Sequence, residues 1–485
     1  MAGATYRGGS TRSRSRPAAP DLGERLTLII LVVLLLVIAL GGGASRGDAF
    51  SQPMVRLASL AAVAWVLWRS RLADLRSGGW PLGLLALLAA LASLQLLPLP
   101  PVLWNVSDGH HAYAEFLRVV GQDAAWRPMS ISPDRTLNSL LALLCPAAIL
   151  LLLSQLPGRS GRRDRLVMEV WLVILLASAL LSVVQVGGGV GYLYRVTNEG
   201  SAVGLFANRN HQALFLACGL PLLAAWVIGS SADPRQSRIR TWVALCGAAA
   251  IWPALLITGS RAGLVLGALG TIFALILILT DRNGEQGRRD RVQWRRTGLL
   301  VGVPLIVALF GVAMILAQSR GEAVERLFRS SEAELRANVL PTLLRMLRDY
   351  QPFGAGFGAF DPAFRRYEAH ASLTTNYLNQ AHNDWLQIGI EGGIPALLLL
   401  LAFVLLCVRA AVRAWSGQRR PATLHARAAL FVIILIAAAS LVDYPLRTPL
   451  VAALMACSLY WLARGTRPVP DDRRDNRVGS NDAIG

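Results

Sequence analysis

Runs of apolar residues long enough to cross a lipid bilayer recur along nearly the whole chain, and they constrain the fold more than any other feature. Hydrocarbon offers no water to backbone N–H and C=O groups, so each run must be a helix that closes its own hydrogen bonds. About twelve spans are expected, near 26–42, 54–68, 80–97, 137–156, 166–186, 211–229, 241–257, 262–280, 298–317, 395–411, 428–442 and 449–463. A composition of 54% hydrophobic and 16% charged residues fits this reading. The expected class is all-α: a polytopic membrane domain over 26–464, flanked by disordered basic cytoplasmic tails at 1–25 and 465–485. The long polar lead before the first run points to a retained helix and not a cleaved signal peptide.

The formal charge of +19 first raises the question of nucleic acid, but its placement answers otherwise. All the basic residues are arginine, and most fall in alternate connections between spans. No basic stripe interleaved with aromatics is present, so no nucleic-acid partner is expected. By the positive-inside rule the arginine-rich connections and both termini are cytoplasmic. The outer loops then fall at 98–136, 187–210, 258–261, 318–394 and 443–448, and the fourth is by far the longest. The five cysteines, Cys145, Cys218, Cys246, Cys407 and Cys457, all lie in apolar runs without zinc-ligand spacing, so neither a disulfide framework nor a metal site is expected.

Polar chemistry collects at the outer ends. In "GLFANRNHQALFLA", Asn208, Arg209, Asn210 and His211 immediately precede a span. They read either as an interfacial cap or as an amide-lined cationic site at a helix N-terminus, where free N–H groups favour an anion. In "ITGSRAGLVLG" the turn needs Gly or Ser but has no need of Arg261, and an arginine at that depth is a functional candidate. Arg336 sits in the long loop, on a helix opened by the capping pattern Ser331-Glu332-Ala333-Glu334 and required to kink or break at Pro341. In "NQAHNDWLQIGIEGGIPALL", His382 and Asn383 are expected to begin a short helix ended by Gly392-Gly393, after which Pro395 starts the next span. Glu391 at the C-terminal end of that helix opposes the dipole and calls for a cationic partner, expected to be an arginine. "GAGFGAF", Gly354–Phe360, lacks the spacing and the strand of a nucleotide loop and reads as a turn-forming segment.

Guanidinium forks match phosphate oxygens in pairs, and two or three of them hold a diphosphate without a divalent ion. Histidine takes a proton near neutral pH. Together they suit attack by a hydroxyl on a sugar carbon whose leaving group is a lipid diphosphate.

The order Ser260-Arg261, Arg336, the glycine-rich 352–358 region, His382-Asn383 and Glu391-Gly392 resembles the O-antigen ligase and polymerase family. "LLPLPPVLW" and "MSISPDRTLNSL" are also similar to its members. The resemblance implies a helical bundle related to the GT-C type, with a large periplasmic loop at about 318–394, in the bacterial inner membrane. It implies a glycan transferase of lipopolysaccharide or polysaccharide biosynthesis that uses an undecaprenyl diphosphate donor at the periplasmic face, with no metal or other cofactor. Arg261 and Arg336 would bind the diphosphate and His382 would be the essential catalytic residue. Asn208, Arg209, Asn210, His211, Asn383 and Glu391 stand as substrate-binding candidates, with Arg209 and His211 lacking an assigned place in that scheme. The acceptor stays open among lipid A core, a growing glycan and protein, so a polymerase is the alternative to a ligase. A transporter or flippase is the second alternative, although transporters gather ionisable groups near the midplane of two related halves. A structural scaffold would leave the histidine and arginines without a purpose.

Overall fold

The computed structural model describes residues 22–47, 49–69, 78–156, 161–229, 233–282, 331–368, 378–416 and 420–466. In chain order these form α1 (Leu22–Gly41), α2 (Ser51–Arg69), α3 (Gly79–Leu94), β1 (Pro98–Leu99), α4 (Pro101–Trp104), α5 (Asp108–Val119) and β2 (Arg127–Pro128). There follow α6 (Pro133–Ala142), α7 (Leu144–Ser154), α8 (Gly161–Gly188), α9 (Arg209–Ile228), α10 (Pro234–Ile257) and α11 (Arg261–Arg282). The rest are α12 (Ser331–Asp349), α13 (Phe360–Phe364), α14 (Asp384–Ser416), α15 (Pro421–Ala439), a 3-10 turn at Pro445–Arg447 and α16 (Pro449–Gly465). The two short strands pair antiparallel, Pro98 with Pro128 and Leu99 with Arg127.

Among the described residues eight helical runs are long and apolar enough to cross a membrane, α6 and α7 together forming one of them over Pro133–Ser154, and α3 and α16 are shorter apolar helices. Every expected span inside the described residues falls on a helix, and the one expected at 298–317 lies outside them. α1 shows why lipid is part of the solvent. Leu31, Leu34, Leu35 and Ile38 are buried, while Leu26, Ile29, Val33, Leu36 and Leu40 are exposed at three- and four-residue spacing. α14 exposes Leu398, Leu401, Leu405, Val408 and Val412 at the same spacing. Water would not tolerate such stripes on a helix that already buries an apolar face elsewhere.

α9 is the central helix, buried from His211 to Ala225, and it packs against α8, α10, α11 and α15. Its seam with α11 uses small residues. A Cβ on Gly263 would come within 2.3 Å of the Ala213 Cβ, and one on Gly270 within 2.7 Å of the Ala217 carbonyl. Apolar side chains gain little from leaving lipid for protein, so close backbone approach of this kind is what holds two membrane helices together.

The two ends of the bundle differ. At one end Arg464 donates to both Asp164 oxygens at 2.7 Å, Arg163 pairs with Glu24, and Trp226 donates to Glu169 at 2.9 Å. The other end carries the connections 98–132, 189–208, 258–260 and 440–448 and a small cap. The cap has its own core, in which Leu343 and Met346 of α12 and Tyr350 just after it meet Phe360, Phe364 and Ile390. α12 runs through Pro341 as one helix, where the sequence pointed to a kink or break. Proline removes one intrahelical hydrogen bond, and the buried residues beyond it anchor the helix.

The cap is woven onto α14 by the glycine-rich segment. Gly393 leaves the helical region (φ 61°) and interrupts α14, as the Gly392-Gly393 pair led one to expect. The interruption frees carbonyls that need donors. Ala355 N–H donates to Ile390 O and Gly356 N–H to Glu391 O, each at 2.9 Å. Gln95 at the end of α3 locks the segment by donating to Phe353 O (3.1 Å) and Glu391 O (2.9 Å) and accepting from Phe357 N–H (3.0 Å). Gly354 has φ +81°, and a Cβ there would stand 2.3 Å from the Glu391 carbonyl oxygen. Gly354→Ala is therefore expected to lower stability by at least about 2 kcal/mol. Gly83→Ala on α3, where a Cβ would touch nothing within 4 Å, should be neutral or stabilising by up to about 1 kcal/mol. Thermal unfolding in detergent compares the two.

Candidate functional site

The site assembles where α9, α11 and α14 begin and α15 ends. Asn208 is the N-cap of α9, its side chain accepting from Asn210 N–H at 2.8 Å. That cap directs Asn210 and His211 into the protein. Ser260 precedes α11 and accepts from Gly263 N–H at 2.9 Å, while its hydroxyl donates to Asn210 Oδ1 at 2.8 Å. Asn210 Nδ2 in turn donates to Asp443 Oδ2 at 2.9 Å. Asp443, in the connection after α15, also accepts from Tyr444 N–H on Oδ1 at 2.9 Å.

Two imidazoles face that same Oδ1. His382 Nδ1 lies 3.5 Å and His211 Nε2 3.6 Å from it. Tyr444 presents its ring edge-on to both, with centroids 4.9 Å from His382 and 5.4 Å from His211. Burial alone would raise the Asp443 carboxyl's proton affinity, but the facing histidines outweigh it and hold the group well below the usual carboxylate range. Asp443 is thus an anion across the neutral range. Its side chain is 4% exposed, that of His211 2%, and that of His382 22%. Of the two imidazoles, His382 is the more exposed.

His382 does not begin the helix as the sequence led one to expect. It stands just before α14 with φ +49°, the positive-φ residue other than glycine among those described, and Asn383 caps the helix by accepting from Leu386 N–H at 3.1 Å. A left-handed conformation at a non-glycine residue costs of order 1–3 kcal/mol, and such strain concentrates at functional positions. Asp384 continues the turn and receives structural support, its N–H donating to Ser440 O at 2.9 Å.

The arginine expected opposite Glu391 is Arg447. Its Nη2 lies 3.2 Å from Glu391 Oε2 and its Nε 3.4 Å from Asp384 Oδ1. Desolvation lowers the proton affinity of this guanidinium, but Glu391 and Asp384 raise it further, leaving it above its ordinary value. Gln387 also donates to Glu391 Oε1 at 2.8 Å. On the far side of this triad opens an apolar cavity of about 370 Å³ between α3, α7, α14 and α16, with Asp384, Glu391 and Arg447 in its lining. Residues 382–384 therefore join the histidine cluster to an apolar cavity.

Arg261 is the first residue of α11, exposed, and adjacent to the Ser260 that is hydrogen-bonded into the cluster. The Arg209 guanidinium lies beside Gly259, so two arginines frame one turn. The backbone of Arg336 lies in α12, but its side chain lies outside the described residues. Sequence reasoning missed Asp443, Tyr444, Arg447 and Gln95. The available signal was "DYPLRTP", two opposite charges in a short connection between apolar runs.

These features define a polytopic helical membrane protein with a buried carboxylate flanked by two histidines at one end of its bundle. Residues 246–401 match the family model described as O-antigen ligase. No curated protein matches the chain in sequence. The matched stretch holds His382, Glu391 and Arg261, whereas their partners His211, Asn210, Asp443 and Arg447 come from outside it.

Two stability outcomes follow. His382→Gly should be more stable than His382→Ala by about 1 kcal/mol, because glycine accepts the left-handed backbone. Arg447→Leu should lose about 3–5 kcal/mol by stranding Asp384 and Glu391, and adding Asp384→Asn and Glu391→Gln should recover most of it. Urea titration of the purified variants measures both.

Proposed function

We propose that the protein transfers a glycan from a polyprenyl diphosphate carrier, undecaprenyl diphosphate, to an acceptor hydroxyl at the periplasmic face of the inner membrane. The observation that carries this reading is His382 itself. It is strained, backed by an ionised buried Asp443, and placed between an arginine-framed turn and an apolar cavity. The cavity suits the first isoprene units of the carrier, which brings the diphosphate to the outer end of the bundle. Arg261 and Arg336 take its oxygens, and Arg209, Asn208, Asn210, Asn383 and Glu391 shape the surroundings.

Asp443 at the Nδ1 side favours the tautomer with hydrogen on Nδ1 and leaves the Nε2 lone pair free. The acceptor hydroxyl attacks the anomeric carbon as Nε2 takes its proton. The bond from that carbon to the diphosphate oxygen breaks, and its electron pair leaves with the diphosphate, whose growing charge the guanidinium groups stabilise. The arginine-rich opposite end of the bundle supports a cytoplasmic location for that end and an outward one for the site.

His382→Ala should reduce glycan transfer by a factor of about 100 to 10,000 while the protein inserts and unfolds normally. Transfer at the parent rate would rule out the base. Arg261→Lys should also lose most activity if paired contacts to the diphosphate matter, because lysine is a point charge. The assay uses purified lipid-linked glycan with membranes containing each variant. A deletion strain separates the two acceptor classes: short lipopolysaccharide with accumulated lipid-linked polymer marks a ligase, and single-repeat products mark a polymerase.

A further inference from the structure

His211 is the buried group that the transfer chemistry leaves unused. A histidine that merely fills space in a helical core satisfies its ring nitrogens. Here neither His211 nitrogen has a hydrogen-bond partner among the described residues, and the side chain is 2% exposed. Its ring packs against Phe206 and Tyr444, contacts that a phenylalanine would make equally well. Its Nε2 faces Asp443 Oδ1 at 3.6 Å, and that same atom faces His382 Nδ1 at 3.5 Å.

A carboxylate oxygen has two lone-pair sites. On Asp443 Oδ1 one is occupied by Tyr444 N–H at 2.9 Å. The second can accept an N–H from His382 or from His211, but not from both. Both imidazoles stand at nearly equal distance, and neither contact has closed to hydrogen-bond length. Oδ2 accepts from Asn210 Nδ2 at 2.9 Å, and the recorded contact of each ring is to Oδ1.

We propose that His211 is a positioning residue for His382: it competes for the one open site on Asp443 Oδ1, takes up the proton that Asp443 would otherwise hold on His382, and so leaves His382 able to accept one from the acceptor hydroxyl. This rests on His382 being the base. The charged and titratable groups around the pair are few. Asp443, Tyr444 and Arg447 come from the connection after α15, and His382 and Asp384 from the start of α14, with Asp384 within electrostatic reach of His211. Arg209 on α9 is turned to Gly259, and Arg447 is engaged by Asp384 and Glu391. Asp443 is thus the anion that both rings share, and coupled groups of this kind titrate as a unit.

The test reads His382 directly. Full-length protein in lipid nanodiscs is treated with diethyl pyrocarbonate, which modifies unprotonated imidazole, and the rate at His382 is followed by peptide mass spectrometry from about pH 5 to 8.5, across the range in which imidazole titrates. In His211→Gln the midpoint for His382 should rise by about half to one pH unit, since Asp443 then acts on one ring alone. The acid limb of the transfer rate should move with it, with kcat at neutral pH down about three- to tenfold and KM for the donor unchanged. His211→Phe, which keeps the ring packing, should give the same shift and serves if the glutamine variant does not fold. Combined with Asp443→Asn, the His211 substitution should no longer move the midpoint. An unchanged His382 midpoint in a folded His211 variant overturns the proposal. Persistent glycan transfer by His382→Ala would instead overturn the assigned base, whatever the modification profile shows.

Discussion

The site depends on one ionised carboxylate kept almost dry. Asp443 sits in a connection of a few residues between two membrane helices and has to be satisfied from all sides. Its own next backbone N–H, the Asn210 amide and two imidazoles supply that satisfaction. Asn210 and His211 come from the start of α9 and His382 from just before α14, so holding the charge also fixes where α9 and α14 begin relative to the end of α15. Through Asn210 the same requirement reaches Ser260 and sets the turn that presents Arg261. A buried anion is costly by itself, and here that cost makes the geometry specific.

A second constraint comes from the interruption of α14. Breaking a helix at the membrane boundary leaves carbonyls without donors. In this protein the donors arrive from the glycine-rich segment of the cap, which lies flat against Ile390 and Glu391 because its glycines permit positive φ and close approach. Gln95 ties the same segment to α3. The cap is thereby attached to the bundle through main-chain hydrogen bonds beside the histidine. The interruption also turns the Glu391 carboxylate toward Arg447, where the apolar cavity begins.

Much of this was legible in the sequence. The apolar runs could only be helices, and the runs within the described residues are helices. Glu391 announced its arginine, because a negative charge at a helix C-terminus needs an offset. Gly392 and Gly393 announced the interruption, and the lack of strand and spacing around Gly354–Phe360 marked a turn. His382 stood out as a histidine among amides at a membrane mouth. Its left-handed backbone was not legible, since the contacts around it, with Asp443 and with Ser440 through Asp384, come from far along the chain. Pro341 misled for a related reason: local propensity calls for a break, and burial of Leu343, Met346 and Tyr350 overrides it.

The sequence by itself determined an all-helical protein with runs of membrane-crossing length, because that follows from local composition and from the absence of water in hydrocarbon. Only the tertiary structure decided that His382 shares a carboxylate with His211 and that Arg447 closes on Glu391. Hydropathy records how deep a residue lies along the membrane normal. It carries no information about which helix stands beside which, and the contacts that make this site are all between neighbours of that kind.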